Sequence, residues 1–349
     1  MKAVKYKGVK DLELVDIQRP AATPGHVLVK VVYCGICGTD VHAYQMPGFF
    51  DWELILGHEA VGYVEEVGEG VDCVKVGDRV AVGPPGDCGQ CYSCNTGNPN
   101  TCVNGFPNTL GIGPGTQGAY AEYVLSHFPQ NELFKIPDDV SFEQAVLFDV
   151  LGVGLHAVRR SDMRVGDSVV VSGCGSIGLS VVQAVKLAGA NTLVVFDPLE
   201  SKRKTALEIG AEYAFDPGNK DDVEKAISLF SQANGAQVCF EAAGHADSVQ
   251  TCLDLCMPSG QVMLIGSDGR PYPLNTAALG VHQYNLKFAF TFTKEEISML
   301  FNLISKGKID TSPYTLQKAP LDQAIQKLDD IASGKLEVSR VLLMPHGEI

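Results

Sequence analysis

No stretch of this chain approaches the ~20 consecutive apolar residues that a membrane-spanning helix needs, so no such helix is expected. Basic residues are scarce: 27 Lys and Arg stand against 41 Asp and Glu, a formal charge of −14. A surface that acidic repels phosphate backbones and anionic headgroups, which excludes nucleic acid and membrane as expected partners. Met1-Lys2-Ala3-Val4-Lys5-Tyr6 lacks the apolar core of a secretory signal, and the chain closes without a lipidation motif, so a cytoplasmic protein is expected. There is no internal repeat and no low-complexity linker. What is present is ordinary for a globular protein, with 45% apolar and 19% charged residues. A length of 349 residues is too great for one small core, and two domains are expected. Cysteine is the exception to this plainness. Eleven of them, an odd number without a sign of secretion, argue for thiolate ligands over a disulfide framework.

The first 80 residues read as short strands between turns. Val27–Tyr33 is a β-branched run, Gly62–Gly68 resembles another, and Gly77-Asp78-Arg79 forms a turn before Val80-Ala81-Val82. Residues 83 to 118 are rich in Gly, Pro, Asn and Cys without periodicity, a loop long enough to need a staple. Near residue 143 the pattern becomes helices alternating with short apolar strands, the mark of βαβ units on a parallel sheet. Strands are expected at Ser168–Ser172, Thr192–Phe196, Gln237–Glu241 and Gln261–Ile265. Helices are expected at Lys294–Ser305 and Leu321–Ser333, with a closing strand at Ser339–Leu343.

Val169-Val170-Val171-Ser172 runs into Gly173-Cys174-Gly175-Ser176-Ile177-Gly178, a G-x-G-x-x-G followed by a helical stretch, Leu179–Leu187. Gly173 permits the tight turn, Gly175 lets backbone approach a pyrophosphate, and Gly178 permits close packing of helix on strand. With Ser176 and Ile177 these form the candidate phosphate cradle, where free N–H groups at the helix start favour negative charge. A glycine motif alone is weak. Here a second strand ends in Asp197, 19 residues after Gly178 and close to the ~20 expected of the acid that bonds the adenosine ribose. That acid repels a 2′-phosphate, so NAD is expected over NADP.

Cys88, Cys91, Cys94 and Cys102 offer four thiolates in one turn-rich loop. Two-residue gaps let a short loop wrap a tetrahedral zinc, and four sulfurs leave no open position, so this metal would be structural. Two disulfides are the alternative, disfavoured in a reducing compartment. Cys37, in Gly35-Ile36-Cys37-Gly38-Thr39-Asp40-Val41-His42, and His58, in Gly57-His58-Glu59, form a looser pair that composition alone does not settle.

These motifs, in this order and along the whole chain, resemble the zinc-containing medium-chain alcohol dehydrogenases, in their polyol (sorbitol-type) and threonine dehydrogenase-like branch. The resemblance implies an α/β protein with a GroES-like β-barrel catalytic domain at 1–150 and 290–349, enclosing a doubly wound Rossmann NAD-binding domain at 151–289. It implies two zinc ions per chain, NAD, a small alcohol or carbonyl substrate, and a homo-oligomer, dimer or tetramer. Cys37 and His58 would be catalytic-zinc ligands. Asp149, where polyol dehydrogenases carry Glu, would bind directly, bind through water or order the loop, and Glu59 resembles a glutamate that moves in and out of the zinc shell. Thr39 and His42 resemble a relay that carries the substrate proton outward, and Asp40 a carboxylate that orients a ligand. In the cofactor domain Lys202 would meet the adenosine ribose, Arg340 the pyrophosphate, and the backbone of Ile265 and Gly266 the nicotinamide carboxamide.

The implied activity is hydride transfer between a small, secondary alcohol or polyol and NAD. Sorbitol itself is disfavoured, because Phe288–Thr293 replaces that branch's Arg-Tyr pair. The alternatives are threonine 3-dehydrogenase-type oxidation and a non-catalytic dinucleotide-binding relative. Against the first, Gly83-Pro84-Pro85-Gly86 lacks the histidine that the threonine branch shows. Phe49, Phe50 and Trp52 are candidates for a partly apolar substrate pocket or for simple packing.

Overall fold

The computed structural model describes residues 1–84, 87–114, 116–230, 233–266, 270–336 and 338–347. Pro85 and Gly86 of the stretch noted above lie outside these, as do the last two positions of the expected 290–349 segment. In chain order the first elements are β1 (Lys2–Gly8), β2 (Asp11–Asp16), β3 (Val27–Gly35), α1 (Gly38–Gln45), β4 (Leu54–Ile55), β5 (Glu59–Val67) and β6 (Arg79–Val82). Three short helical turns follow, α2 (Tyr92–Asn95), a 3-10 turn at Pro99–Thr101 and α3 (Gly105–Asn108), in the region expected to be loop. Then come β7 (Tyr123–Ser126), α4 (Pro129–Glu132), β8 (Leu133–Lys135), α5 (Phe142–Ala145) and α6 (Phe148–Arg160).

The alternating part comprises β9 (Ser168–Ser172), α7 (Ser176–Leu187), β10 (Thr192–Phe196), α8 (Glu200–Glu208), β11 (Tyr213–Phe215), α9 (Lys220–Leu229), β12 (Ala236–Glu241), α10 (Ala246–Leu255), β13 (Cys256–Leu264), α11 (Thr276–His282) and β14 (Asn285–Phe288). The chain ends with α12 (Lys294–Ser305), β15 (Leu316–Pro320), α13 (Ala324–Ala332) and β16 (Arg340–Met344).

Two compact units result: 1–149 with 293–306 and 314–349, and 150–292 with 307–313. In the first, β2-β1-β4 form a small antiparallel sheet, and a larger sheet runs β15-β16-β3-β5-β6-β8 with β7 also on β3. Its core is rich in β-branched residues from alternating strand positions, among them Val27, Val29, Val31, Val80 and Val82. In the second, six parallel strands run β11-β10-β9-β12-β13-β14. The direction of winding reverses between β9 and β12, the doubly wound order whose crevice beyond the strand ends takes a dinucleotide.

Several boundaries differ from expectation for local reasons. α7 begins at Ser176, three residues early, because Gly175 is its N-cap. β13 starts at Cys256, with a register irregularity between Ala236 and Val238 on its partner and a left-handed Ser259 (φ 63°). Pro320 is followed by a single 3-10 turn, Leu321–Gln323, before α13 proper. Residues 307–313, expected with the first unit, pack with the second. The Gln183 side chain on α7 donates to the Asp310 carbonyl (2.9 Å) and accepts from its N–H (2.7 Å).

Candidate active site and cofactor site

Cys37 is the N-cap of α1, and the turn is fixed by Asp40, whose Oδ2 accepts the Cys37 N–H at 2.8 Å. Tyr120 Oη donates to the same oxygen at 2.9 Å, while Asp40 Oδ1 stands 3.7 Å from His58 Nδ1. His58 immediately precedes β5, which Glu59 opens and which pairs with β3 so that Glu59 lies opposite Gly35. A Cβ at Gly35 would meet Glu59 Oε2 at 2.4 Å, so only glycine leaves room for that carboxylate. Asp149 comes from the first turn of α6. Ligand atoms of Cys37, His58, Glu59 and Asp149 all lie within 4.8 Å of one another.

The electrostatics of this cluster call for a cation. Cys37, Asp40, Glu59 and Asp149 are acids in one poorly solvated place, and the one guanidinium among them is Arg340, whose Nη2 stands 2.9 Å from Glu59 Oε1. Burial, with the Glu59 charge beside it, pushes the Asp149 carboxyl up to about 7. Burial also raises the Cys37 thiol, again with Glu59 contributing. Among the described residues Asp40 Oδ1, His58 Nδ1 and Glu59 Oε2 have no hydrogen-bond partner, and Glu59 Oε1 has only its ion pair with Arg340. A buried acid set with this much unmet bonding capacity fits a divalent ion, and one thiolate, one imidazole and a carboxylate suit zinc. Thr39 Oγ1 lies 3.8 Å from the Cys37 sulfur, and His42 follows one turn along α1, its half-buried ring edge-on to Phe49 at 5.8 Å. Phe50 is a core residue, packed on Tyr6 and Trp52, and the Trp52 indole N–H is bonded to the Ile112 carbonyl.

All four loop cysteines are free thiols, as are the other seven. Cys91 Sγ is 3.5 Å from Cys94 Sγ and 3.8 Å from Cys102 Sγ, and Cys88 completes a group within 4.8 Å. A disulfide would need about 2.05 Å. Zinc–sulfur bonds of about 2.3 Å give a tetrahedron with edges of about 3.8 Å, close to what is found. Hydrogen bonds from the Gln90 backbone and the Asn104 amide pull the Cys88 thiol down to about 6.

In the second unit Gly173 is left-handed (φ 96°), and a Cβ at Gly178 would stand 1.8 Å from the Gly173 carbonyl. Both positions therefore require glycine. Ser176 and Ile177 form the first turn of α7. Asp197 is buried, its Oδ2 accepting the Cys174 N–H (2.8 Å) and its Oδ1 the Leu199 N–H (2.9 Å), so it ties the glycine loop to the end of β10. Lys202 is exposed on α8. Ile265 and Gly266 both donate their N–H groups to the Glu241 carbonyl, leaving only their own carbonyls for a ligand. Arg340 is far from a solvated surface charge: it is buried, paired with Glu59 and donating to the Ile36 carbonyl. Sequence reasoning gave no role to Tyr120, nor the Glu59 partner to Arg340. Neither residue sits in a motif, and only the fold brings them to the cluster.

The chain matches the Alcohol dehydrogenase GroES-like domain over residues 23–138 and the Zinc-binding dehydrogenase family over residues 176–306. It is 29% identical to sorbitol dehydrogenase of Bacillus subtilis (strain 168), covering 99% of this chain and 98% of that protein. It is 34% identical to L-threonine 3-dehydrogenase of Pyrococcus abyssi, covering 75% and 74%. A solved structure described as a zinc-binding dehydrogenase of Sinorhizobium meliloti 1021, bound to NADP, superposes with a TM-score of 0.85 at 29% identity over 99% of each chain. The chain belongs to the zinc-dependent medium-chain alcohol and polyol dehydrogenases. It is an oxidoreductase of that class, with a GroES-like part and a Rossmann-type part.

Proposed function

We propose that this protein transfers hydride between a small secondary alcohol or polyol and NAD, at a catalytic zinc held by Cys37, His58 and Asp149. The observation that carries this reading is the convergence of those three residues and Glu59 within 4.8 Å, beside Thr39. Zinc in this place supplies a Lewis acid that lowers the pKa of a substrate hydroxyl. Asp149 is the third ligand in this reading because Glu59 already has Arg340 as its counter-ion. Asp40, fixed by Tyr120 and the Cys37 amide, orients the His58 ring. Thr39 would accept the substrate hydroxyl proton while giving its own hydroxyl proton to the His42 imidazole, one turn along the same helix face, which releases it to solvent. The four-cysteine loop holds a second, structural zinc.

Asp197 supports NAD over NADP, since a buried carboxylate at the end of β10 opposes a 2′-phosphate. Free thiols throughout support a reducing compartment, the cytoplasm. The open edge of β14, with Phe288 and Phe290 exposed, supports a homo-oligomer. Likeness to an L-threonine 3-dehydrogenase favours threonine as the second substrate reading. The test is NAD reduction over secondary alcohols, diols, sugar alcohols, sugar phosphates and threonine. Turnover of at least one class with zinc-loaded protein is expected, and bound dinucleotide without turnover of any would favour a non-catalytic relative.

A further inference from the structure

Glu241 closes β12 and is completely buried, yet belongs to none of the motifs above. Its Oε1 accepts three hydrogen bonds, from the Ala243 N–H (2.8 Å), the Gly244 N–H (2.8 Å) and Ser248 Oγ (2.6 Å). Its Oε2 has no hydrogen-bond partner among the described residues. Its main-chain carbonyl takes the N–H groups of both Ile265 (2.9 Å) and Gly266 (3.1 Å). One residue therefore fixes the segments that leave two adjacent strands, β12 and β13.

Both segments lie in close contact with their neighbours. A Cβ at Gly173, first glycine of the fingerprint, would meet Ala243 N at 2.7 Å. A Cβ at Gly266 would meet Gly244 N at 2.3 Å and Glu241 Oε2 at 3.0 Å. The Ala242 N–H is bonded to the Ser172 carbonyl at the end of β9, and Tyr272 Oη holds the Gly244 carbonyl. The carboxylate thus sits where the ends of β9, β12 and β13 meet, on the far side of the winding reversal from Asp197. A dinucleotide lying across such a reversal places its adenosine half over β9–β10 and its other half over β12–β13.

We propose that Glu241 is the positioning residue for the nicotinamide half of the dinucleotide, setting the shape of Ala242–Gly244 and Ile265–Gly266 without touching the adenosine half. The inference rests on the dinucleotide reading above. Burial holds the carboxyl above its ordinary value. A glutamine keeps the oxygen that accepts from Ala243, Gly244 and Ser248, which makes it a close replacement.

The test uses the whole chain and two probes, NADH and 5′-AMP, with binding read by calorimetry. In Glu241→Ala, NADH affinity is expected to fall tenfold or more while 5′-AMP affinity stays within twofold of the parent. Glu241→Gln is expected to restore NADH binding to within about threefold. Ser248→Ala, which removes one donor only, covers the case in which Glu241→Ala does not fold, with an intermediate loss confined to NADH. Equal losses for the two probes, or unchanged NADH affinity in Glu241→Ala and Ser248→Ala, would overturn the assignment. A parent chain that binds neither probe would instead sink the dinucleotide reading itself.

Discussion

Asp149 and Glu59 are two carboxylates in one buried cluster, and Arg340 pairs with Glu59, which in the proposed reading leaves Asp149 as the zinc ligand. Asp149→Asn is therefore expected to lose zinc and activity together, because a neutral amide replaces a charged oxygen donor. Glu59→Gln is expected to keep its zinc while turnover falls tenfold or more. Zinc content by atomic spectroscopy beside turnover distinguishes the two, and a zinc-replete Asp149→Asn would assign the ligand to Glu59. Asp197 acts at the same scale. Parent kcat/KM is expected to favour NAD over NADP by tenfold or more, and Asp197→Ser to narrow that ratio. The same substitution should weaken both cofactors, since Asp197 also anchors the Cys174 amide. A parent that works better with NADP would remove the ribose role from Asp197.

At the scale of elements, the segment from Cys88 to Cys102 holds only a four-residue helix and a 3-10 turn, neither with a buried residue. Among the described residues neither element is anchored by a buried apolar side chain, so in the proposed reading a bound metal is what holds the loop. Cys91→Ala is expected to halve bound zinc, from two per chain to one, and to lower the melting temperature by several degrees. The specific activity of what remains folded should change little. A stable but inactive Cys91→Ala would contradict a structural role.

A second element-scale case lies at the corner between β7 and β8. Glu132 ends α4 fully buried, with Oε2 bonded by Ser126 and the Phe128 N–H and Oε1 without a hydrogen-bond partner among the described residues. Burial pushes this carboxyl up to about 7. The folded chain therefore holds a proton that the unfolded chain releases near pH 4.5, so this contribution to stability is complete below that pH and is lost as pH rises through 7. The shift corresponds to roughly 3 kcal/mol at most. Glu132→Gln should melt at the same temperature as the parent near pH 4.5 and several degrees higher at pH 8. An equal difference at both pH values would show that the effect is packing, not titration.

At the scale of the whole molecule, hydrophobic patterning already indicated the parallel sheet. β9 and β10 and the helix Lys294–Ser305 stand where alternation and periodicity placed them. The glycine motif was legible because its requirements are local: a left-handed Gly173 and a helix start at Gly175 follow from a handful of adjacent residues. The four-cysteine loop was legible for the same reason, since its ligands share fifteen residues of chain.

The second cluster was only half legible. Cys37, His58, Glu59 and Asp149 come from α1, β5 and α6, and their convergence depends on β3 pairing with β5 in one register. Arg340 reaches Glu59 from the opposite end of the chain, on β16, which pairs with β3. Tyr120 and Glu241 carried no signal at all, because a buried hydrogen bond has no spacing to recognise. Short-range backbone geometry and metal-ligand spacing are written in consecutive residues, so the sequence alone determined the sheet class, the phosphate cradle and the thiolate loop. Which charge pairs with which depends on distances between strands far apart in the chain, and only the tertiary structure brings Arg340 to Glu59 and gathers Cys37, His58, Glu59 and Asp149.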